Sequence, residues 1–479
     1  MGAATTDFKP KSCDELVSSI SGKVLFQEDD AFEEARTAVW NLDSAGMPAC
    51  IIKCKNATDI VAAIKFAKVN KKRICVHTAG AHSSQAVVDK CVTIDLSMMR
   101  SVTVDESLRE ATVEGGATIG DVDTGCKPYN LALPMGHVHH TGVAGMALNA
   151  TSGVGYLCRS RSLTANFLKR VTVVMSDGTV KEVSEDENSD LLWGMRGAGA
   201  NFGIAVQMVF SLTKVAPTIF GGDVIKLGLG QGESDKTKSE IVQKWFEFFM
   251  KAPVEASSLL VLAPKGPVVT RLCYIPTEVD SEKPASAIEK EANDVFKPFT
   301  SFGETMVNGT GMIDYWDGMQ KMGEFGKSYY YQKASMVDIP REDISDVADS
   351  LCAFSNTCPI ENMGTGIILM PLGGNLHDLE SDAIPTADVF KNMRWWIIII
   401  TEFPKGPEEP EVREKCLEWC REVFESIKPY SAKDKGRIKD YWSETIGEIY
   451  GSNIRRLKEL KEQYDPKNVF SLNRNVSPK

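Results

Sequence analysis

Residues 136–145 read GHVHHTGVAG, so three of the chain's six histidines, His137, His139 and His140, fall within four positions flanked by glycine. Imidazoles at that density could ligate a metal, relay protons or pack beside a bound group. A metal needs convergent ligands. On extended backbone His137 and His139 share a face while His140 points to the other. The nearest acidic side chain upstream is Asp123. Metal ligation is therefore not expected. The glycines point elsewhere: Gly136, Gly142, Gly145, Gly153 and Gly155 lie within twenty residues. A small-residue loop of that length lets backbone approach a ligand closely.

Two more stretches repeat the theme. In VHTAGAHSSQ (76–85) a strand runs into a turn of Thr78, Ala79, Gly80, Ala81, His82 and Ser83. Successive N–H groups in such a turn form a nest suited to phosphate. LLWGMRGAGANFGIAV (191–206) brings Gly203 and Ile204 to the start of a strand. Neither stretch is a Rossmann fingerprint. Neither lies between an opening strand and a helix in the required order, and no acidic ribose partner follows. GLGQG (227–231) fails for the same reason, which disfavours a nicotinamide dinucleotide. Glu402, on the otherwise apolar strand WWIIIITEF, is a candidate general base.

Elements that could position these groups are legible from periodicity. ACIIK (49–53) and RICVH (73–77) read as strands and residues 59–70 as an amphipathic helix, together a small βαβ unit. CVTIDL, SVTVD and EATVEGG are neighbouring short strands. KRVTVVMSDGTVKEVS is a hairpin turning at Asp177–Gly178. After residue 217 come a helix over 233–252, strands LLVLAP, VVTRLCYI, GIILMPL and RWWIIIITEF, a helix over 408–428 and a last one over about 440–463. A chain of 479 residues can bury a core for two or three domains.

Net charge is −11, which argues against nucleic acid or an anionic membrane surface as the partner. No stretch approaches the roughly 20 apolar residues a bilayer requires. The N-terminal stretch MGAATTDFKPKSCDEL has no apolar export segment, so the twelve cysteines are expected to be reduced and the protein cytoplasmic.

Several of these segments carry a resemblance. VHTAGAHSS, CVTIDLSMMRSVTVDESLREATVEGGATIGDV, HTGVAG, LTANFLKRVTVVMSDG and DLLWGMRGAGANFGI follow, in order, the signatures of vanillyl-alcohol-oxidase-type (PCMH-type) FAD-binding domains. YGSNIRRLKELKEQYDPKNVFSLNRNVSP is similar to the closing motif of the berberine-bridge-enzyme-like FAD-linked oxidases. The resemblance is strong over 44–217 and 441–478 and thin between.

It implies an α+β fold: a two-subdomain FAD-binding domain over 1–217 (core 44–217), completed by 436–479, and a substrate domain over 218–435. In the latter an antiparallel sheet, covered by helices on one face, would roof the flavin. It further implies FAD held by one covalent link through His82. The position of a second link, usually cysteine, is Val138. Thr78, Ala79, Gly80, Ala81, Ser83, Thr141, Gly142, Gly145, Ser152, Gly153, Gly155, Gly203, Ile204, Asn473 and Asn475 would complete the cofactor site. Thr78 stands where the family has arginine, Ala81 where it has glycine, and NATSG (149–153) where it has a triple-glycine run. The base would be Tyr430 or Glu402. Tyr329, Tyr330 and Tyr331 could line the pocket. The activity implied is oxidation of a small molecule at a CH–OH or CH–NH carbon, with O2 or another acceptor reoxidising the flavin. A dehydrogenase and a non-catalytic flavin binder are the alternatives. Substrate and oligomeric state are left open.

Overall fold

The computed structural model describes residues 13–80, 85–149, 153–226, 234–321, 326–403, 409–431 and 446–478. Near the N-terminus, strand Val92–Asp95 pairs in parallel with both Cys50–Lys53 and Ile74–His77, and Lys23–Leu25 flanks the outer edge antiparallel. The helix Ala57–Val69 begins at Asn56, whose side chain accepts from the Asp59 N–H, and buries Ile60, Ala63, Ile64 and Ala67. The two strands of the expected βαβ unit are therefore not neighbours. Val92–Asp95 is buried at all four positions, and a strand with no exposed face takes the centre of a sheet.

A five-stranded antiparallel sheet follows in the order Val102–Asp105, Glu110–Glu114, Gly203–Ser211, Leu168–Met175, Val180–Val183. Its hairpin turns at Asp177–Gly178, where Gly178 has φ 91° and the Asp177 carboxylate accepts from the Thr179 N–H at 2.9 Å. Helix Ile119–Cys126 carries a Thr118/Asp121 capping box. With Ser189–Ala198 it contributes to the core formed by Val113, Val171, Met208 and Phe202.

The last helix differs from expectation. Ile446–Tyr450 stops, a 3-10 turn spans Gly451–Asn453, and Ile454–Tyr464 follows. Gly451 adopts φ 49°, a left-handed conformation that ends a helix and re-aims the chain. Ile449, Tyr450, Leu457 and Leu460 can thereby join the core of the five-stranded sheet.

Among the described residues the largest sheet has eight strands, all antiparallel. Its path runs Thr305–Asn308, Thr218–Lys226, Val268–Tyr274, Ala256–Leu262, Gly366–Pro371, Trp395–Glu402, Tyr330–Val337, with Gly311–Asp314 also on Thr218–Lys226. Strand Trp395–Glu402 alternates strictly between buried and half-buried positions. Trp395, Ile397 and Ile399 join a core with Trp245, Phe246 and Leu351 from the helices Ser234–Phe249 and Ile344–Thr357, while Thr401 meets Cys420 of Pro410–Ile427 at 3.6 Å. Trp396, Ile398, Ile400 and Glu402 face the other way.

Two devices tie this sheet to the rest. Asn41 donates to the Tyr330 carbonyl at 3.0 Å, and Leu42 donates to that of Ser328 at 2.9 Å. Arg159 is buried and donates to the carbonyls of Ala252, Ala256 and Leu372.

Candidate active site

Between the glycine-rich turns and the helix-free face of the eight-stranded sheet lies a cavity of about 890 Å³. Thr78, Val138, Thr141, Gly142 and Gly145 line it from the turns, Gly203 and Ile204 from the five-stranded sheet, and Asn473 and Asn475 from the tail. Glu402 lines it from above. These ten positions, far apart in sequence, meet in one space.

Four other glycine-turn residues singled out in the sequence stand behind the wall. Ala79, Gly80, Gly153 and Gly155 are not among the lining residues. A Cβ on Gly80 would collide with the backbone of His140 and Gly142, and one on Gly155 with the Met135 carbonyl. Gly153 has φ 84° and its missing side chain leaves room for Thr164. The glycines let one turn pack directly on another, which shapes the wall without forming its surface. Ala81, His82, Ser83 and Ser152 lie outside the described residues.

Tyr430 is placed elsewhere. It sits in the 3-10 turn Lys428–Tyr430 that ends helix Pro410–Ile427, on the helix-covered side of the sheet. Partial burial and the carboxylates of Asp343 and Asp346 push its hydroxyl above the usual phenol range. It does not line the cavity, because the helix that carries it packs against the opposite face of the strand bearing Glu402.

The three histidines diverge. The His137 ring stacks on Tyr156 with centroids 4.9 Å apart, His139 Nε2 lies 3.4 Å from Asp123, and His140 sits 5.7 Å from Trp40. Burial raises the Asp123 carboxyl to about 6. Among the described residues no cluster of three or more His, Cys, Asp or Glu side chains could hold a metal. His137 lines the cavity. Burial, with a smaller push from the Arg271 charge, holds its pKa down near 4, so the imidazole is neutral.

Of Tyr329, Tyr330 and Tyr331, named from the sequence as possible lining residues, Tyr330 alone lines the cavity; Gln332 and Trp396 line it too and had no role in the sequence reading. Strand alternation, taken outward from Glu402 and across to its partner strand, is the signal that finds them.

The tail shows what the cavity is built to hold. Asn473 donates its amide N–H to the Ala200 carbonyl at 2.6 Å, yet the side-chain oxygens of Asn473 and Asn475 are buried and have no partner in the protein. Buried amide oxygens normally find a donor. Both residues line a cavity walled by Ile204, Leu96 and Phe470, an arrangement that suits a flat heteroaromatic ring carrying N–H groups.

Residues 48–184 match the FAD-binding domain family, and residues 441–477 match the berberine and berberine-like family. The chain is an FAD-linked oxidoreductase with a berberine-like closing segment. It is 29% identical to an FAD-linked oxidoreductase of Dictyostelium discoideum over 97% of this chain and 96% of that one. Its fold is that of chitooligosaccharide oxidase, with a TM-score of 0.81 at 21% identity over 98% of this chain and 100% of that one. It is equally that of 6-hydroxy-D-nicotine oxidase from Arthrobacter nicotinovorans, at 0.80 and 20% over 96% and 99%.

The oxidoreductase's own residues fit FAD. Gly142 and Gly145 bring backbone to the cavity wall, and Gly80 behind them lets the two turns pack closely. The Asn473 and Asn475 oxygens can accept from ring N–H groups, and Ile204 and Phe470 supply apolar surface for the ring faces.

Proposed function

We propose that this oxidoreductase oxidises a small molecule at a CH–OH or CH–NH carbon, with O2 as acceptor and hydrogen peroxide as product. FAD, when bound, accepts the hydride and passes the electrons on. The observation that carries the reading is Glu402, the one carboxylate among the described residues that line the cavity.

Glu402 is set to take the proton from the substrate's O–H or N–H. Its backbone is held on both sides: the N–H donates to Thr365 Oγ1 at 2.9 Å, and the carbonyl accepts from Asn362 Nδ2 at 2.9 Å. Its carboxylate lies against Gly364, where any side chain would displace it. Tyr330, its direct cross-strand partner, lines the same space. His82 is the residue proposed to tether the flavin, and Val138 supplies no thiol for a second link. A dehydrogenase using another acceptor is the second reading. It is favoured by Thr141, which lines the cavity at the position that the family resemblance links to oxygen access.

Acid precipitation of the purified protein tests the assignment. Yellow colour retained in the pellet and lost to the supernatant in His82→Ala supports the tether; a colourless protein after expression with ample riboflavin overturns the whole reading. Stopped-flow reoxidation by air against a quinone dye then separates oxidase from dehydrogenase.

A further inference from the structure

The roof of the cavity is chemically lopsided. Leu259, Val261, Ile368, Trp396, Ile398 and Ile400 line it across three adjacent strands, a width of about 10 Å at the usual strand spacing. None of the first three or the two later isoleucines carries a side-chain donor or acceptor, and Trp396 offers a single N–H. The polar roof groups gather at one edge. Glu402 and Tyr330 oppose each other across strands Trp395–Glu402 and Tyr330–Val337, and Gln332 sits one same-face position along, opposite Ile400.

A second polar group stands toward the other edge. His137 stacks on Tyr156, whose hydroxyl is held by Arg271. Arg271 is the cross-strand partner of Leu259, so the two side chains lie on one face of the sheet. His137 therefore sits toward the Leu259 side, away from Glu402. Its Nδ1 is buried with no protein partner, and its ring is neutral, able to accept as well as donate.

We propose that the cavity selects a hydrophobic, ring-bearing alcohol or amine whose reacting carbon lies under Glu402 and whose second polar group meets His137. This rests on the reading of Glu402 as the base. A carbohydrate fits poorly. Each ring hydroxyl laid against the isoleucine and leucine surface loses its water without gaining a partner, at about tenfold in affinity apiece. An aromatic or alicyclic ring gains from the same surface.

Calorimetric titration of the purified, flavin-loaded protein tests this with three probes: 1-phenylethanol, 1-(4-hydroxyphenyl)ethanol and cellobiose. Both aryl alcohols are expected to bind at least tenfold more tightly than cellobiose, with a negative heat-capacity change. The phenol is expected to bind about tenfold more tightly than 1-phenylethanol. His137→Phe, which keeps the stack on Tyr156, should abolish the phenol's advantage, and His137→Gln should restore part of it. Ile398→Asn should weaken both aryl alcohols. Cellobiose binding as tightly as the aryl alcohols overturns the substrate class, and a phenol advantage that survives His137→Phe overturns the role of His137. Tight aryl binding that never bleaches the flavin anaerobically supports the selectivity and overturns the parent reading instead. A preparation without flavin overturns both.

Discussion

Lys461 and Asp465 form an ion pair 2.8 Å long in which both side chains are fully buried. The ammonium spends its other two protons on the carbonyls of Asn201, at 2.7 Å, and Phe470, at 3.0 Å. Asp465 accepts in turn from the N–H groups of Val469 and Phe470, and Asn201 Oδ1 accepts from Val476 at 2.8 Å. One buried charge thus fastens the 199–201 turn to the tail that presents Asn473 and Asn475. Lys461→Met leaves the carboxylate buried without its counter-ion and is expected to cost roughly 3–5 kcal/mol. The urea midpoint should fall accordingly and flavin content should drop with it. An unchanged midpoint would show that the pair does not hold the tail.

Glu402→Gln keeps the shape of the side chain and removes its capacity to take a proton. The rate of anaerobic flavin bleaching by substrate is expected to fall by about 10²–10⁴, with flavin content unaltered. Tyr430→Phe, on the far face of the sheet, should leave that rate where it is. Reversal of the two outcomes would move the base to Tyr430.

Gly80→Ala and Gly142→Ala are expected to differ in kind. The new Cβ at 80 meets backbone of His140 and Gly142, which cannot rotate away. The one at 142 meets chiefly the Thr78 side chain. Overpacking of this sort costs about 1–3 kcal/mol. Thr78→Ala should relieve Gly142→Ala and leave Gly80→Ala unrelieved, a coupling that a double-mutant cycle of thermal stabilities reads directly.

His77 predicts a pH profile. Its Nδ1 lies 3.2 Å from Asp95 Oδ1 and its Nε2 3.0 Å from the Ala38 carbonyl. Both partners accept, so the ring carries both protons. Burial alone would lower the imidazole's pKa, but the Asp95 hydrogen bond and charge outweigh it and raise it. Burial would likewise raise Asp95, yet His77 and Ser97 hold it down at about 2, and Lys53 faces it at 3.6 Å. The depressed carboxyl contributes stability above pH ~4 that is lost as pH falls toward 2, roughly 2 kcal/mol. The raised imidazole contributes below pH ~6.5 and is lost as pH rises through its folded value. Thermal melts of the wild-type chain minus those of His77→Gln should therefore peak between about pH 4 and 6.5. A difference that stays flat from about pH 2 to 8 would mean the pair is not charged.

Much of the fold was legible because its cues are local. Residues 59–70 read as an amphipathic helix, Asp177–Gly178 as the turn of a hairpin, and WWIIIITEF as an apolar strand. The misses were not local. The βαβ unit formed with its two strands parallel in one sheet, but they are not neighbours, because Val92–Asp95, from a later segment, enters between them. The single terminal helix failed at Gly451, where a left-handed residue re-aims the chain so that Ile449 and Leu457 share one core.

The order of glycine-rich turns and the closing motif, read from the sequence by itself, determined that this chain binds FAD and is built as an oxidoreductase. Such turns depend on short-range backbone demands, and a residue without a side chain is visible wherever it stands. Only the tertiary structure put Glu402 at the cavity and Tyr430 on the other side of the sheet, sent His137, His139 and His140 to three separate partners, and laid an isoleucine roof over the glycine-rich turns. Those outcomes depend on which face of a sheet packs on helices and which on a domain more than a hundred residues away, and burial of the larger apolar surface, not any local signal, makes that choice.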